Sequence, residues 1–427
     1  MADSRPRRSR RLLDSIRKEI PEALAAGQDH DDAQVAAMLR ELGIALIECE
    51  QPAQMVQARL LTIAAQYTDQ TVRIVALPTA LVVQVGTVAY EVETVVRPTT
   101  QLDLAGRVDA IAELAEVGAI TPADAAREAA LARSMPPRFG PVTTVVGYMI
   151  TTLGFGMVIN PTWASLWGYV FLGFVVGLIL QLGRPFPTLA AVLPTLAAAV
   201  VTMLATWFVA DAANDGLLRV ISPPLVALLP GLALTIAAME LASAQMISGA
   251  TRLIYGATQL ALLVFGVGLG MHVAGQLAPQ APSPQMGSWS LYVAIVVIAV
   301  GIYFYLSAPK GSLLWLVLAV GVALVGQQVG GLFLSPTHAG AVGAFLVVPF
   351  AMLGARVKTS PPAIVMMLTA FWSLVPGALS FESLGAAVTG EGDLSTLGTT
   401  VAAIFSIALG TLIGWSVFMT IRGRARR

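Results

Sequence analysis

Leu228-Leu229-Pro230-Gly231 and Leu374-Val375-Pro376-Gly377 are two copies of one pattern, each set in a long apolar run. Past a polar loop, each run is followed by another that is glycine-rich near its end, with Gly266, Gly268 and Gly270 in the first case and Gly410 and Gly414 in the second. Aligned proline on proline, the spacing holds to within a couple of residues as far as those glycines. Proline removes a backbone donor and crowds the preceding turn, and glycine adds freedom. Both runs are therefore expected to be interrupted helices. Backbone groups freed at membrane depth persist only against protein or a watery cavity.

Composition supports a membrane setting for the larger part of the chain. Charged residues make up 12% of the 427, and hydrophobic residues 56%; an ordinary domain carries about 25% charged residues. The charge is uneven, for 34 of the 50 Lys, Arg, Asp and Glu precede Phe139. The expected organisation is a basic arm over 1–20, a soluble α+β domain over 21–138, and two membrane repeats of five helices each, over 139–275 and 288–427. A lone cysteine, Cys49, excludes an internal disulfide or cysteine cluster. His30, His272 and His338 are too scattered for a metal motif, and neither a metal nor a cofactor is expected. Leu12-Leu13 is too short for the apolar core of a signal peptide, so the N-terminus is predicted to stay in the cytoplasm.

The arm carries Arg5, Arg7, Arg8, Arg10, Arg11, Arg17 and Lys18. It reads as a solvated tail or as a contact with anionic lipid. No aromatic residues accompany the charge, which argues against nucleic acid. Helical spacing places Val35, Met38, Leu39, Leu42 and Leu46 on one face of a helix, and Val56, Leu60, Ile63 and Ala64 on one face of the next. Stretches 71–86 and 88–97 read as strands, punctuated by Pro78 and Gly86. Two more helices follow near 102–117 and 122–133, the second with Thr121 as N-cap and Pro122 in its first position. Glu48, Glu50, Glu91 and Glu93 read as solvated or strand-face charges, since the region has no phosphate loop and no nucleophile with a base.

Ten spans are predicted, near 140–158, 163–181, 187–210, 219–241, 253–274, 289–306, 312–333, 338–354, 361–381 and 397–420. The eighth is short, which fits either a less tilted span or a partly re-entrant one. With the N-terminus inside, the loops read as cytoplasmic hold Arg184, Arg252, Lys310, Arg356 and Lys358, and the C-terminal tail holds four more arginines. The outer loops hold Arg219 alone, with Asp211, Asp215, Glu382, Glu391 and Asp393. Nine of the ten basic residues after Phe139 thus obey the positive-inside rule, and both termini are expected in the cytoplasm. Five spans per half is an odd number, so a second copy begins on the opposite side and the repeat is inverted.

Glu240 is the one carboxylate well inside a predicted span, ten residues after Pro230. An ionisable group there is a candidate for proton coupling; the bland alternative is a cytoplasmic helix end facing water. Glu382, six residues after Pro376, is a second candidate nearer the outer surface. Around the breaks, Pro230, Gly231 and Thr235 in one half and Ser373, Pro376, Gly377 and Ser380 in the other suit a small zwitterion. Helix ends at a break offer N–H groups to its carboxylate and carbonyls to its ammonium. Gln327 and Gln328 either add amide contacts or bond neighbouring helices. The Gly173/Gly177 and Gly326/Gly330 pairs mark close helix packing.

The stretch Leu39-Arg40-Glu41-Leu42-Gly43, continuing through Ile47-Glu48-Cys49-Glu50 to Val56, resembles the threonine/serine exporter family of bacteria. So do Ala76-Leu77-Pro78-Thr79-Ala80-Leu81 and the run from Pro223-Pro224 to Pro230-Gly231-Leu232-Ala233-Leu234-Thr235. The resemblance covers nearly the whole chain except the arm. It implies a cytoplasmic N-terminal domain, ten spans in the cell membrane, and export of threonine and serine driven by the proton motive force. Members often carry Gly-Ala or Gly-Glu where this chain has Glu48-Cys49-Glu50-Gln51-Pro52, which places charge at a helix–helix turn. Two-gene relatives are linked to dicarboxylate export, which keeps a dicarboxylate or other small-metabolite exporter as an alternative. A membrane-anchored binding or sensory module is the alternative of another class. An intramembrane enzyme needs a nucleophile–base pair or metal set that the spans do not offer.

Overall fold

The computed structural model describes residues 30–93, 100–183, 191–209, 216–275, 283–374, 381–385 and 394–424, with 17, 18, 21, 23, 24, 186 and 189 besides. The arm up to residue 16, and Arg97, Arg184, Asp211, Asp215, Glu391 and Asp393, lie outside the described residues.

The N-terminal unit begins with helices α1 (Asp32–Glu48) and α2 (Ala53–Tyr67). Val35, Met38, Leu39, Leu42 and Leu46 of α1, and Val56, Leu60 and Ile63 of α2, are buried as the helical spacing requires. Three strands follow, β1 (Val72–Leu77), β2 (Ala80–Val85) and β3 (Val88–Glu93), paired antiparallel in the order β1-β2-β3. The stretch expected as one strand over 71–86 is therefore a hairpin. Pro78, with its fixed φ and missing N–H, turns the chain so that Leu77 faces Ala80. Gly86 takes φ +55° at the next turn. Helices α3 (Leu102–Glu116) and α4 (Pro122–Arg133) complete the unit, and the Thr121 hydroxyl caps α4 by accepting from the Asp124 N–H at 3.1 Å. Glu91 is exposed as expected, but Glu48 is not. It is buried and accepts from Arg133 Nη2 at 2.7 Å, because α4 packs across α1 and presents its last-turn arginine there.

The rest of the described chain is helical: α5 (Pro141–Ile159), α6 (Leu166–Gly183), α7 (Leu193–Phe208), α8 (Leu217–Leu225), α9 (Gly231–Ala242) and α10 (Met246–Ala274), then α11 (Ser290–Tyr305), α12 (Leu313–Gly330), α13 (Pro336–Gly354), α14 (Ala363–Ser373) and α15 (Leu394–Arg424). Among the described residues, α5, α6, α10, α12, α13 and most of α15 are long and apolar enough to cross a membrane; α7, α9, α11 and α14 are shorter apolar helices. The stretch expected as a short eighth span is a full helix of 19 residues, since Pro336 extends its first turn. Phe174, Leu196, Phe265, Leu314, Phe405 and Leu409 point outward, a pattern stable where lipid is the solvent.

Small residues draw these helices together. A Cβ on Gly147 or Gly154 of α5 would collide with the α11 backbone, and one on Gly301 of α11 would collide with the backbone of Thr151. Gly173 and Gly177 of α6 lie on α5, and Gly326 and Gly330 of α12 lie on α13, as the spacing predicts. Gly266 and Gly270 of α10 meet the backbone of α7, and Gly410 and Gly414 of α15 meet that of α13.

The N-terminal unit is seated on the helical region. The first N–H groups of α3 donate to the carbonyls at the end of α11, from Leu102 to Leu306 at 2.8 Å and from Asp103 to Ser307 at 3.1 Å. Gly106 packs on Pro309, Pro362 and Val365. Lys18 donates its backbone N–H to the Arg356 carbonyl at 2.8 Å.

Candidate functional site: the interrupted helix and its buried acids

The stretch expected as one span over 219–241 is two helices. Pro223 and Pro224 lie inside α8, so the carbonyls one turn back lose their helical donors. The chain then turns, with Leu228 donating to Leu225 at 2.8 Å, and Pro230 caps α9 with φ −80° and ψ 36°. Helix α8 has 9 residues and α9 has 12, hence about 14 and 18 Å, and neither alone crosses a core of about 30 Å. The first N–H groups of α9, from Gly231 onward, face the break without helical partners and carry its positive dipole end.

Tyr148 of α5 fills the break. Its hydroxyl donates to the Pro224 carbonyl at 2.6 Å and accepts from the Ala227 N–H at 3.4 Å. Its ring is buried and lies 4.8 Å, centroid to centroid, from Tyr305, which lies 6.2 Å from Trp372 of α14. This aromatic line runs from the first break across the α5–α11 seam to the end of α14. There α14 stops, with the Ser373 hydroxyl donating to the Ala370 carbonyl at 2.7 Å. Helical geometry returns over 381–385. Pro376, Gly377 and Ser380 lie outside the described residues. Thr235 is buried near the first break, its hydroxyl donating to the Gly231 carbonyl at 2.9 Å. Gln328 is exposed and Gln327 half-buried on α12.

Glu382, in the segment after α14, lies close to α8. The Arg219 charge of α8 attracts its carboxylate, while the nearby Ser222 hydroxyl donates to the Leu218 carbonyl at 2.6 Å. Glu382 Oε1 is buried and has no hydrogen-bond partner among the described residues. Gly385 packs on Leu218, so the segment over 381–385 leans on α8.

Glu240 lies near the C-terminal end of α9, away from the break. It is fully buried on α9, so it neither faces water nor sits among apolar neighbours alone. Its Oε1 accepts from the Ala53 N–H at 2.8 Å, at the start of α2 in the N-terminal unit. Its Oε2 accepts from Ser248 Oγ at 2.6 Å and lies 3.4 Å from Arg252 Nε. Arg252 Nη1 lies 3.4 Å from Glu50 Oε2. Glu50 is thus part of this cluster rather than a solvated charge, because the α1–α2 turn is pressed onto α10. Burial pushes its carboxyl above the ordinary range, more than Arg252 pulls it down. Residue-by-residue reading missed Tyr148, Ser222, Ser248 and the pairing role of Arg252. A phenol in an apolar helix was a usable signal for the first; the others carry none without the fold.

Residues 37–274 match a family model described as "Putative threonine/serine exporter". The match runs from α1 to the last residue of α10 and includes the Pro230 break and the Glu240 cluster. No curated protein and no solved structure matches the chain. A match over more than half of the residues, on a chain of many apolar helices, places this multi-pass membrane protein in the threonine/serine exporter family.

Proposed function

We propose that the protein is a secondary transporter that moves threonine and serine out across the cell membrane in exchange for entering protons. The observation that carries this reading is the break at Pro230, where a helix is interrupted deep in the apolar region and a buried phenol supplies the hydrogen bonds the backbone lost. The free N–H groups of α9 suit a carboxylate, the carbonyls that end α8 and α14 suit an ammonium, and Tyr148, Thr235 and Ser373 suit a hydroxyl. Pro230, Gly231, Pro376, Gly377 and Ser380 shape that site, with Gln327 and Gln328 as outer contributors.

Two five-helix halves related by inversion fit the packing. In each half the last helix lies on the third through paired glycines, Gly266 and Gly270 on α7, then Gly410 and Gly414 on α13. Helices α5 and α11, the first of each half, pack against one another. One half rocks against the other about that seam. Glu240, near the C-terminal end of α9, and Glu382, close to Arg219 of α8, take and release protons. Cytoplasmic termini are favoured by the seating of the N-terminal unit, which touches the chain near 240–252, 306–309 and 356–362, where the loops read as cytoplasmic lie. Residues 21–138 act as a cytoplasmic domain, and the basic arm lies on anionic lipid.

Proteoliposomes loaded with labelled threonine test this. Efflux that accelerates when the outside is made acidic is the expected result. Efflux indifferent to the gradient defeats proton coupling, and labelled succinate moving in place of threonine defeats the substrate.

A further inference from the structure

We propose that Arg252, held between Glu240 and Glu50, clamps the N-terminal unit to the inner end of the interrupted helix, and that the clamp opens and closes as the two membrane halves move. The inference rests on the transport reading for its purpose, but the geometry stands by itself.

The N-terminal unit straddles both halves. On the second half it is tied by the α3 N–H groups on the Leu306 and Ser307 carbonyls and by Arg138, which donates to the Tyr303 hydroxyl and the Ala308 carbonyl at 2.9 Å each. On the first half it is tied by charge, through Ala53 and Glu50 to Glu240 and Arg252. Relative motion of the halves strains one tie or the other. The tie to the second half rests on several backbone bonds and on Arg138, and it serves as the hinge. The charged tie is the one that can be released.

Three features mark the charged side as built to let go. First, two carboxylates share one guanidinium, so the cluster carries surplus negative charge when both acids are ionised. Second, Gln51 Nε2 and Gln54 Oε1, which follow Glu50 in the chain, are buried without hydrogen-bond partners among the described residues. A permanent arrangement rarely tolerates such atoms. Third, Glu50 has φ +60°, a left-handed backbone that favours glycine, and Ala244 in the α9–α10 turn has φ +62°. Strain of this kind gathers in segments with more than one arrangement.

The titratable and charged groups facing the cluster are Glu50 from the α1–α2 turn, Glu240 from α9 and Arg252 from α10. The nearby Arg133–Glu48–Glu41 and Arg59–Asp109–Glu116 sets are paired within the N-terminal unit. The sign follows from Glu50. Its carboxyl is raised when docked, so the docked state holds a proton more tightly than the released one. Falling pH therefore closes the clamp, and rising pH through and above the ordinary carboxylate range loosens it.

The test uses full-length protein in lipid nanodiscs, in a Cys49→Ala background, with spin labels replacing the exposed Leu131 of α4 and Ile254 of α10. Wild-type clamp residues should give a short distance whose share grows as pH falls from about 8 to about 5.5. Arg252→Gln strands two acids and should raise the long-distance share about tenfold at neutral pH, while Arg252→Lys should not. Glu50→Gln removes the surplus charge, so it should stay closed and lose the pH response. Identical distances in all four proteins, or a Glu50→Gln variant with the wild-type pH response, overturn the clamp. Threonine flux is measured on the same proteins. Unchanged distances beside intact flux sink the clamp alone; the expected distances beside absent flux sink the transport reading alone.

Discussion

Replacing Tyr148 by Phe removes one oxygen and keeps the ring. The consequence depends on what that oxygen leaves behind. The Pro224 carbonyl takes its bond from Tyr148, because the Leu228 N–H that would serve it in a continuous helix goes to Leu225 instead. A buried carbonyl stripped of its donor costs about 1–3 kcal/mol. Thr235→Val removes a hydroxyl nearby, but the Gly231 carbonyl it served sits inside α9 and keeps its helical donor. That loss should cost about 0.5 kcal/mol or less. The assay is reversible unfolding in mixed micelles, followed by circular dichroism. At the upper end, Tyr148→Phe should shift the unfolding constant by more than tenfold, and Thr235→Val by about twofold. Equal shifts for the two variants refute the reasoning, for they would mean that the Pro224 carbonyl is not orphaned and the break is held open by something else.

Gly301→Ala should destabilise by about 1–3 kcal/mol or more, because its Cβ meets the backbone of Thr151 across the α5–α11 seam. Gly321→Ala, whose Cβ would meet only Ile295 Cγ2 at 3.7 Å, should stabilise by about 0.5–1 kcal/mol in the same unfolding assay. Glu382→Gln should leave threonine binding intact and abolish its acceleration by a pH gradient, and an undiminished gradient response removes Glu382 from the coupling. In the N-terminal unit, Arg59 joins Asp109 and Glu116, so Arg59→Met should cost about 3–5 kcal/mol by stranding two acids together. Thermal unfolding of the full chain, read as loss of the N-terminal unit's protease resistance, checks it.

Much of this architecture was legible along the chain. The apolar runs, the helical faces of α1 and α2, the Thr121 cap and the glycine pairs depend on neighbours a few residues away, and each appears where expected. The interruption at Pro230 was readable for the same reason, since a missing N–H breaks a helix wherever the helix lies. Even the family follows from the order of such local signals. The partners of the buried charges were not legible. Glu240 bonds the Ala53 N–H, 187 positions away, and Arg252 reaches Glu50 across 202. Glu48 and Glu50, which local pattern leaves in water, are drawn into ion pairs only because α4 crosses α1 and the N-terminal unit sits on α9 and α10. Chain-local chemistry decided where helices start, stop and touch. Which acid meets which base was decided by tertiary packing, because the cost of burying charge is met by whatever distant group the fold carries to it.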